Sequence, residues 1–263
     1  MATRPDATIA RTTEDLFQSL ADGSIDFGVT SIDDWPLHLP YGIALAAVCE
    51  RQDPLDVLLT HPPVTQATLP AGARVCVNGS ARAAQLRRYR PDLIVVSPNQ
   101  AILEHPAEAV IFPARALGRI DPREWNVGRL EPEILLPPPL QGIFVVAMRE
   151  SERATLQSMR AALHEPGVGA AAAAEAGFRS ALAAGPSATL AALATWSDES
   201  RGGGWMDLAV RILTPDGTQM LEGVTSERVE SEQHGRDLGA ALALDLVGQG
   251  ALDLLDLSAE AES

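Results

Sequence analysis

Residues 12–23 place apolar side chains at helical spacing. Leu16, Phe17 and Leu20 line one face, with Thr13 as the expected N-cap and Gly23 as the stop. The pattern then shortens. Residues 25–29 read as a strand running into the loop Thr30-Ser31-Ile32-Asp33-Asp34. Residues 43–49 and 55–60 are apolar enough for buried strands. The proline-rich segment 61–72 marks a domain boundary. After it come a strand at 74–77, a helix at 80–88 and a strand at 93–96, then a further helix and a strand at 109–112. This alternation predicts parallel or mixed sheets with helices on both faces. A stiff crossover at 135–142 leads into a strand at 143–147.

From residue 150 the rhythm changes. Helices are expected at 151–163 and 169–184, the second rich in alanine. Strands follow at 187–196 and 205–214, and the turn Pro215-Asp216-Gly217 leads to a third at 218–222. A long helix at 231–247 and a shorter one at 250–257 close a small α+β domain.

Composition narrows the chemistry. The chain carries 35 acidic and 20 basic residues, a formal net charge of −15, and none of the basic residues is lysine. Lysine Schiff-base and P-loop chemistry are thereby excluded. The acidic excess argues against nucleic acid as a partner, because phosphate binding needs clustered positive charge. No apolar run is long enough for a membrane span, and the first residues lack a secretory core, so a cytoplasmic protein is expected. Cys49 and Cys76 sit in apolar runs and read as buried thiols. The five histidines are scattered, so no metal site is expected.

Several stretches share an order with one known family. GSIDFGVTSIDDWP at 23–36, VCERQDP at 48–54, LPAGARV at 69–75, AQLRRYRPDL at 84–93, PPPLQG at 137–142, TPDGTQ at 214–219 and LGAALALDLVGQGALDLL at 238–255 together resemble porphobilinogen deaminase (hydroxymethylbilane synthase). The likeness spans the chain from about residue 13. It implies an α/β fold of two periplasmic-binding-protein-like lobes, the first one truncated, plus a small C-terminal α+β domain. The divisions expected are residues 1–60 and 138–160 for truncated domain 1, 61–137 for domain 2 and 161–263 for domain 3.

The family condenses porphobilinogen into a linear tetrapyrrole on a cysteine-bound dipyrromethane. That reaction needs a carboxylate beside a cationic intermediate, cations for acetate and propionate groups, and a thiol anchor. The resemblance puts Asp34 at the catalytic aspartate; the plainer reading of an Asp-x-Pro aspartate is a loop cap. Much of the rest departs from the family. Asp33 replaces a lysine, and a Thr-Ser-Ser-x-Arg-Arg run becomes Val77, Asn78, Gly79, Ser80, Ala81 and Arg82, leaving Arg82 as the substrate-binding residue. Val96 and the loop Ser97-Pro98-Asn99-Gln100 replace further arginine positions, and Pro186 stands at the cofactor cysteine. Each lost charge-assisted hydrogen bond is worth about 1.5–3 kcal/mol. Arg87, Arg88, Arg115 and Arg119 are nearby cations; for Arg87 and Arg88 a solvated helix face is the expectation.

On this reading no dipyrromethane cofactor is expected. The chain reads as a deaminase-like protein of tetrapyrrole (porphyrin, heme) biosynthesis without the standard activity. The alternatives are an active hydroxymethylbilane synthase or an altered pyrrole-condensing enzyme. An acidic pyrrole or another small molecule in the interlobe cleft is the expected ligand. The family's opening strand and helix have no counterpart before residue 13, through a real shortening or a misplaced start. Self-association or a protein partner is therefore expected to cover the open edge of the first lobe.

Overall fold

The computed structural model describes residues 12–32, 35, 39–61, 64, 68–99, 107–121, 123–184, 188–197 and 204–260. The fold is α/β, and the chain divides into two compact units, Met1–Arg51 with Ile143–Gly169 and Gln52–Gly142 with Ala170–Ser263.

The first unit opens with α1 (Thr13–Ala21). Its cap is Thr12, one residue earlier than the sequence pattern indicates: the Thr12 hydroxyl accepts from the Asp15 N–H at 3.1 Å, and the Asp15 carboxylate accepts from the Thr12 N–H at 3.2 Å. Two first-turn donors are thus satisfied reciprocally. Strands β1 (Phe27–Ser31) and β2 (Ile43–Val48) flank β8 (Phe144–Arg149), which returns after the first segment of the second unit and pairs antiparallel with both. The sheet has a helix on each face. Gly28 of β1 leaves room for Leu16 of α1: a Cβ there would lie 2.2 Å from the leucine Cδ1. On the opposite face, Ala46, Ala47, Val146 and Met148 pack against Leu156 and Met159 of α3 (Arg153–Leu163). Arg149 locks the loop after α1, donating to the carbonyls of Leu20 and Ile25.

The second unit holds a five-stranded sheet in the order β5-β4-β6-β3-β7. Its strands are β3 (Asp56–Thr60), β4 (Arg74–Cys76), β5 (Ile94–Val96), β6 (Ala109–Pro113) and β7 (Asn126–Leu130). β4 runs parallel to β5 and β6, whereas β3 runs antiparallel to β6 and β7, so the sheet is mixed. All five residues of β3 are buried, as a strand paired on both edges requires. Residues 55–60 were expected in the first domain. Their pairing with β6 and β7 moves the crossing point to Gln52, ahead of the proline-rich segment, and the return to Ile143. β7 escapes the sequence pattern because only two of its five side chains are apolar.

The C-terminal part of this unit is an antiparallel meander, β9 (Leu190–Trp196), β10 (Trp205–Leu213) and β11 (Met220–Arg228). It carries α4 (Pro166–Ala181), α5 (Glu232–Val247) and α6 (Ala251–Glu260). Phe178, Met206, Leu208, Ile212 and Leu246 form its core, each under 2% exposed. The alanine run 170–174 is fully packed, and α5 presses against it through glycines. A Cβ on Gly239 would lie 1.9 Å from the Ala174 carbonyl oxygen, and one on Gly235 2.4 Å from that of Ala170. Glu175, wholly buried, accepts the Leu140 N–H at 2.5 Å and the Ala194 N–H at 2.8 Å. One carboxylate therefore ties α4, the crossover and β9 together.

Candidate functional site

Two of the sequence stretches singled out above meet at one guanidinium. Asp53 and Pro54 precede β3, and the crossover Pro138-Pro139-Leu140-Gln141-Gly142 lies alongside them. The Gln52 N–H donates to the Gly142 carbonyl at 2.8 Å. Gly142 has a φ of +82°, and a Cβ there would come within 2.7 Å of the Gln52 carbonyl oxygen, so only glycine fits this contact. Leu140 also takes a positive φ, +72°, with its N–H held by Glu175. The crossover is thereby fixed so that Gln141, 1% exposed, points at the start of β3.

Arg82 comes from the first turn of α2 (Ser80–Tyr89). Its Nε lies 2.7 Å from Oδ2 of Asp56, one terminal nitrogen donates to the Asn78 carbonyl at 2.8 Å, and the other donates to Oε1 of Gln141. Gln141 closes the ring, its Nε2 donating to Oδ1 of Asp56 at 2.9 Å and to the Pro54 carbonyl at 2.7 Å. Asp56 is fully buried and the Arg82 side chain 12% exposed. A buried carboxylate is tolerable only when paired and hydrogen-bonded, and here both oxygens are used. Sequence reading found Arg82 but missed Asp56 and Gln141. The signal was there: Asp56 is the lone charge in the otherwise apolar stretch Leu55-Asp56-Val57-Leu58-Leu59.

Beside this ring, α2 begins at Gly79, φ +103°, without a side-chain cap and without an acidic residue in its first turn. First-turn N–H groups next to a guanidinium suit a carboxylate. The following arginines do different work. Arg87 donates to the Pro215 carbonyl at 2.7 Å, and Arg88 to those of Gly217 and Thr218 at 3.4 and 3.2 Å. The expected solvated helix face is corrected: these cations grip the β10–β11 turn because Gly217 lets it sit on α2, where a Cβ would lie 2.3 Å from the Ala84 carbonyl oxygen. Arg115 is half-buried in a 3-10 turn (Ala114–Arg119). The side chain of Arg119 lies outside the described residues, as do Asp33, Asp34, Gln100 and Pro186. Next to Asp34, Trp35 is buried edge-to-face against Phe17, ring centroids 5.6 Å apart.

Both thiols are free and half-buried. Burial pushes the Cys49 thiol up, with Glu165 adding to the effect, and burial alone raises Cys76. Cys76 ends β4, just ahead of Val77 and the start of α2. Among the described residues, no group of three or more His, Cys, Asp or Glu could hold a metal ion, and no helix is long and apolar enough to cross a membrane.

Comparison with known proteins gives this geometry a context. Residues 10–157 match the family model described as "Porphobilinogen deaminase, dipyromethane cofactor binding domain". A curated protein of Paraburkholderia phytofirmans named porphobilinogen deaminase is 34% identical over 97% of this chain and 78% of its own length. One of the same name from Chromobacterium violaceum is 33% identical over 92% of this chain and 78% of its own. Among solved structures, an ABC transporter protein from Parabacteroides distasonis is 16% identical, with a TM-score of 0.38 over 59% of this chain and 60% of that one. The expectation of no cofactor is overturned by the family match, because the matching domain is the one named for binding dipyrromethane. Among the described residues, the first-turn N–H groups of α2 suit a carboxylate of such a group, whereas the Arg82 guanidinium beside them is already held by Asp56, Asn78 and Gln141.

Proposed function

The chain belongs to the porphobilinogen deaminase family, and on that premise we propose that it serves tetrapyrrole metabolism in the cytoplasm as a deaminase-fold protein without the standard four-fold condensation. The single observation carrying this reading is the state of Arg82. The guanidinium at the family's substrate-carboxylate position has three protein acceptors and is mostly buried. A polycarboxylate reaching it would have to compete with Asp56 across a short, shielded ion pair. Asp33 adds negative charge beside Asp34, and Val77, Gly79 and Ala81 stand where the family supplies hydroxyls and an arginine. Sites built on paired cations lose affinity steeply when the pairs are lost. The proposal concerns elongation only: a chain loaded with dipyrromethane fits it equally well.

The names of the relatives favour a second reading, an active hydroxymethylbilane synthase, because they align over nearly the whole chain. In that case Asp34 would stabilise the cationic intermediate, while Arg82 and the start of α2 would hold one carboxylate of the growing chain. One experiment separates the two. Purified protein is weighed intact and then incubated with porphobilinogen, and both substrate loss and linear tetrapyrrole are followed. Our reading expects no product, whether or not the mass carries a dipyrromethane. Turnover that an Asp34→Asn variant abolishes would establish the second reading.

A further inference from the structure

We propose that Asn78 is a self-modification site: the folded chain converts it to isoaspartate, and the new carboxylate forms at the carbonyl that Arg82 already holds. The inference does not depend on whether the chain condenses porphobilinogen. Asn78-Gly79 is the one Asn-Gly pair in the sequence, since Asn99 precedes Gln100 and Asn126 precedes Val127. It lies in the short link between β4 and α2, and both residues are exposed. Among the described residues, neither the Asn78 carboxamide nor the Gly79 N–H is hydrogen-bonded. Asn126 is the contrast: its carboxamide donates to the Val64 carbonyl at 2.7 Å, and its neighbour is a β-branched strand residue.

The chemistry needs only water. The Gly79 nitrogen gives up its proton and bonds to the side-chain carbonyl carbon of Asn78. The carbon–nitrogen bond of the carboxamide breaks, and ammonia leaves with that proton. A five-membered succinimide remains, its closure unhindered because glycine carries no side chain. Water then adds to one of the two ring carbonyls. When it adds to the former backbone carbonyl, the bond from that carbon to the Gly79 nitrogen breaks. The chain now runs through the side-chain carbon, and the old backbone carbonyl is a free carboxylate.

Arg82 favours both halves of this sequence. Its Nη1 donates to the Asn78 carbonyl at 2.8 Å, and a Cβ on Gly79 would lie 3.3 Å from the same nitrogen. A cation on that oxygen draws electron density from the Asn78-Gly79 peptide, so the N–H ionises more readily. The same contact stabilises the oxyanion formed when water attacks this carbon rather than the side-chain one, which biases the product towards isoaspartate. The product turns a cation–carbonyl contact into an ion pair at the uncapped start of α2, where negative charge is favoured. The added backbone carbon falls between β4 and α2, so neither element is interrupted. The chain then supplies its own carboxylate at the place where a ligand's would dock. Asp22-Gly23 and Asp216-Gly217 are poorer candidates. Bonds from the Ser24 and Thr214 hydroxyls hold their carboxylates ionised, and an ionised carboxylate is a weak electrophile.

The test ages the full chain at neutral pH beside the same chain unfolded in guanidinium chloride, with intact masses and peptide maps taken over time. We expect Asn78 to gain the mass of an amide turned acid at least as fast in the folded chain, with a larger isoaspartate share and no change at Asn126. Asn78→Gln should abolish the gain. Arg82→Lys keeps a cation for Asp56 but gives up the fork that reaches Asn78, and should lower the rate and the isoaspartate share to those of the unfolded chain. Slower conversion in the folded chain, or an isoaspartate share no larger than in the unfolded one, overturns the proposal. A folded Arg82→Lys variant that keeps the wild-type rate and share overturns it too. Should that variant fail to fold, the comparison of folded with unfolded wild type decides alone.

Discussion

Arg82 and Asp56 form a buried ion pair, Nε to Oδ2 2.7 Å, and Gln141 bridges them from the crossover. The same contact that occupies the guanidinium also fixes the entry to β3 and the crossover loop. Stability and ligand access are therefore linked at this one site.

Removing one partner leaves the other charge stranded in the interior. Asp56→Ala should destabilise the protein by about 3–5 kcal/mol. The double variant Asp56→Ala, Arg82→Met should recover part of that loss. Urea denaturation of the two singles and the double gives the coupling, and additive losses would show that the pair is not a unit.

At Gly239 helix propensity and packing oppose each other. Propensity alone makes Gly239→Ala stabilising by about 1 kcal/mol. The added methyl would meet the Ala174 carbonyl at 1.9 Å, with the Phe178 nitrogen at 2.8 Å, and both are backbone atoms that cannot swing aside. We expect packing to win, with a net loss of about 1–3 kcal/mol, seen as a lower melting temperature.

Thiol reactivity should follow the raised ionisation of Cys49 and Cys76. Less thiolate is present at pH 8 than in a free cysteine, so alkylation of the folded protein should be slow and quicken as pH rises. Glu165→Gln removes the neighbouring charge and should speed labelling of Cys49 with little change at Cys76. Peptide mapping after timed alkylation reads both sites.

Asp216 provides a pH signature. The Thr214 hydroxyl first, then the Thr218 N–H and hydroxyl, bond its carboxylate and hold its pKa below the usual value. A depressed folded pKa gives stability that is present above the unfolded value, about 3.9, and is lost as pH falls through the folded one. Melting temperatures of wild type and Asp216→Asn should differ near neutrality, with the gap beginning to close as pH falls below about 4 and vanishing only below the lowered folded pKa. A constant gap would deny the carboxylate this role.

Periodicity alone located most elements, because buried strands such as 56–60 and helices such as 80–89 announce themselves by apolar spacing. It could not show that β8 returns between β1 and β2, since strand order depends on contacts distant in sequence. The candidate site was half legible. Arg82 follows from the resemblance, but its engagement by Gln141 depends on a crossover held by Gly142 and Leu140 at positive φ. The partners of Arg87 and Arg88 were illegible for the same reason: backbone carbonyls leave no mark in a side-chain pattern.

Those two arginines also bear on how the chain is made. Arg87 reaches a carbonyl 128 positions later, and Arg88 carbonyls 129 and 130 positions later. During synthesis the five-stranded sheet emerges first, and α2, packed on it through Leu86, lacks these last contacts until the β10–β11 turn leaves the ribosome. Contacts of such long sequence separation slow folding. A nascent chain stopped before residue 215 should therefore be open to proteases, and the last fifth of the protein acts as the latch on what was translated long before it.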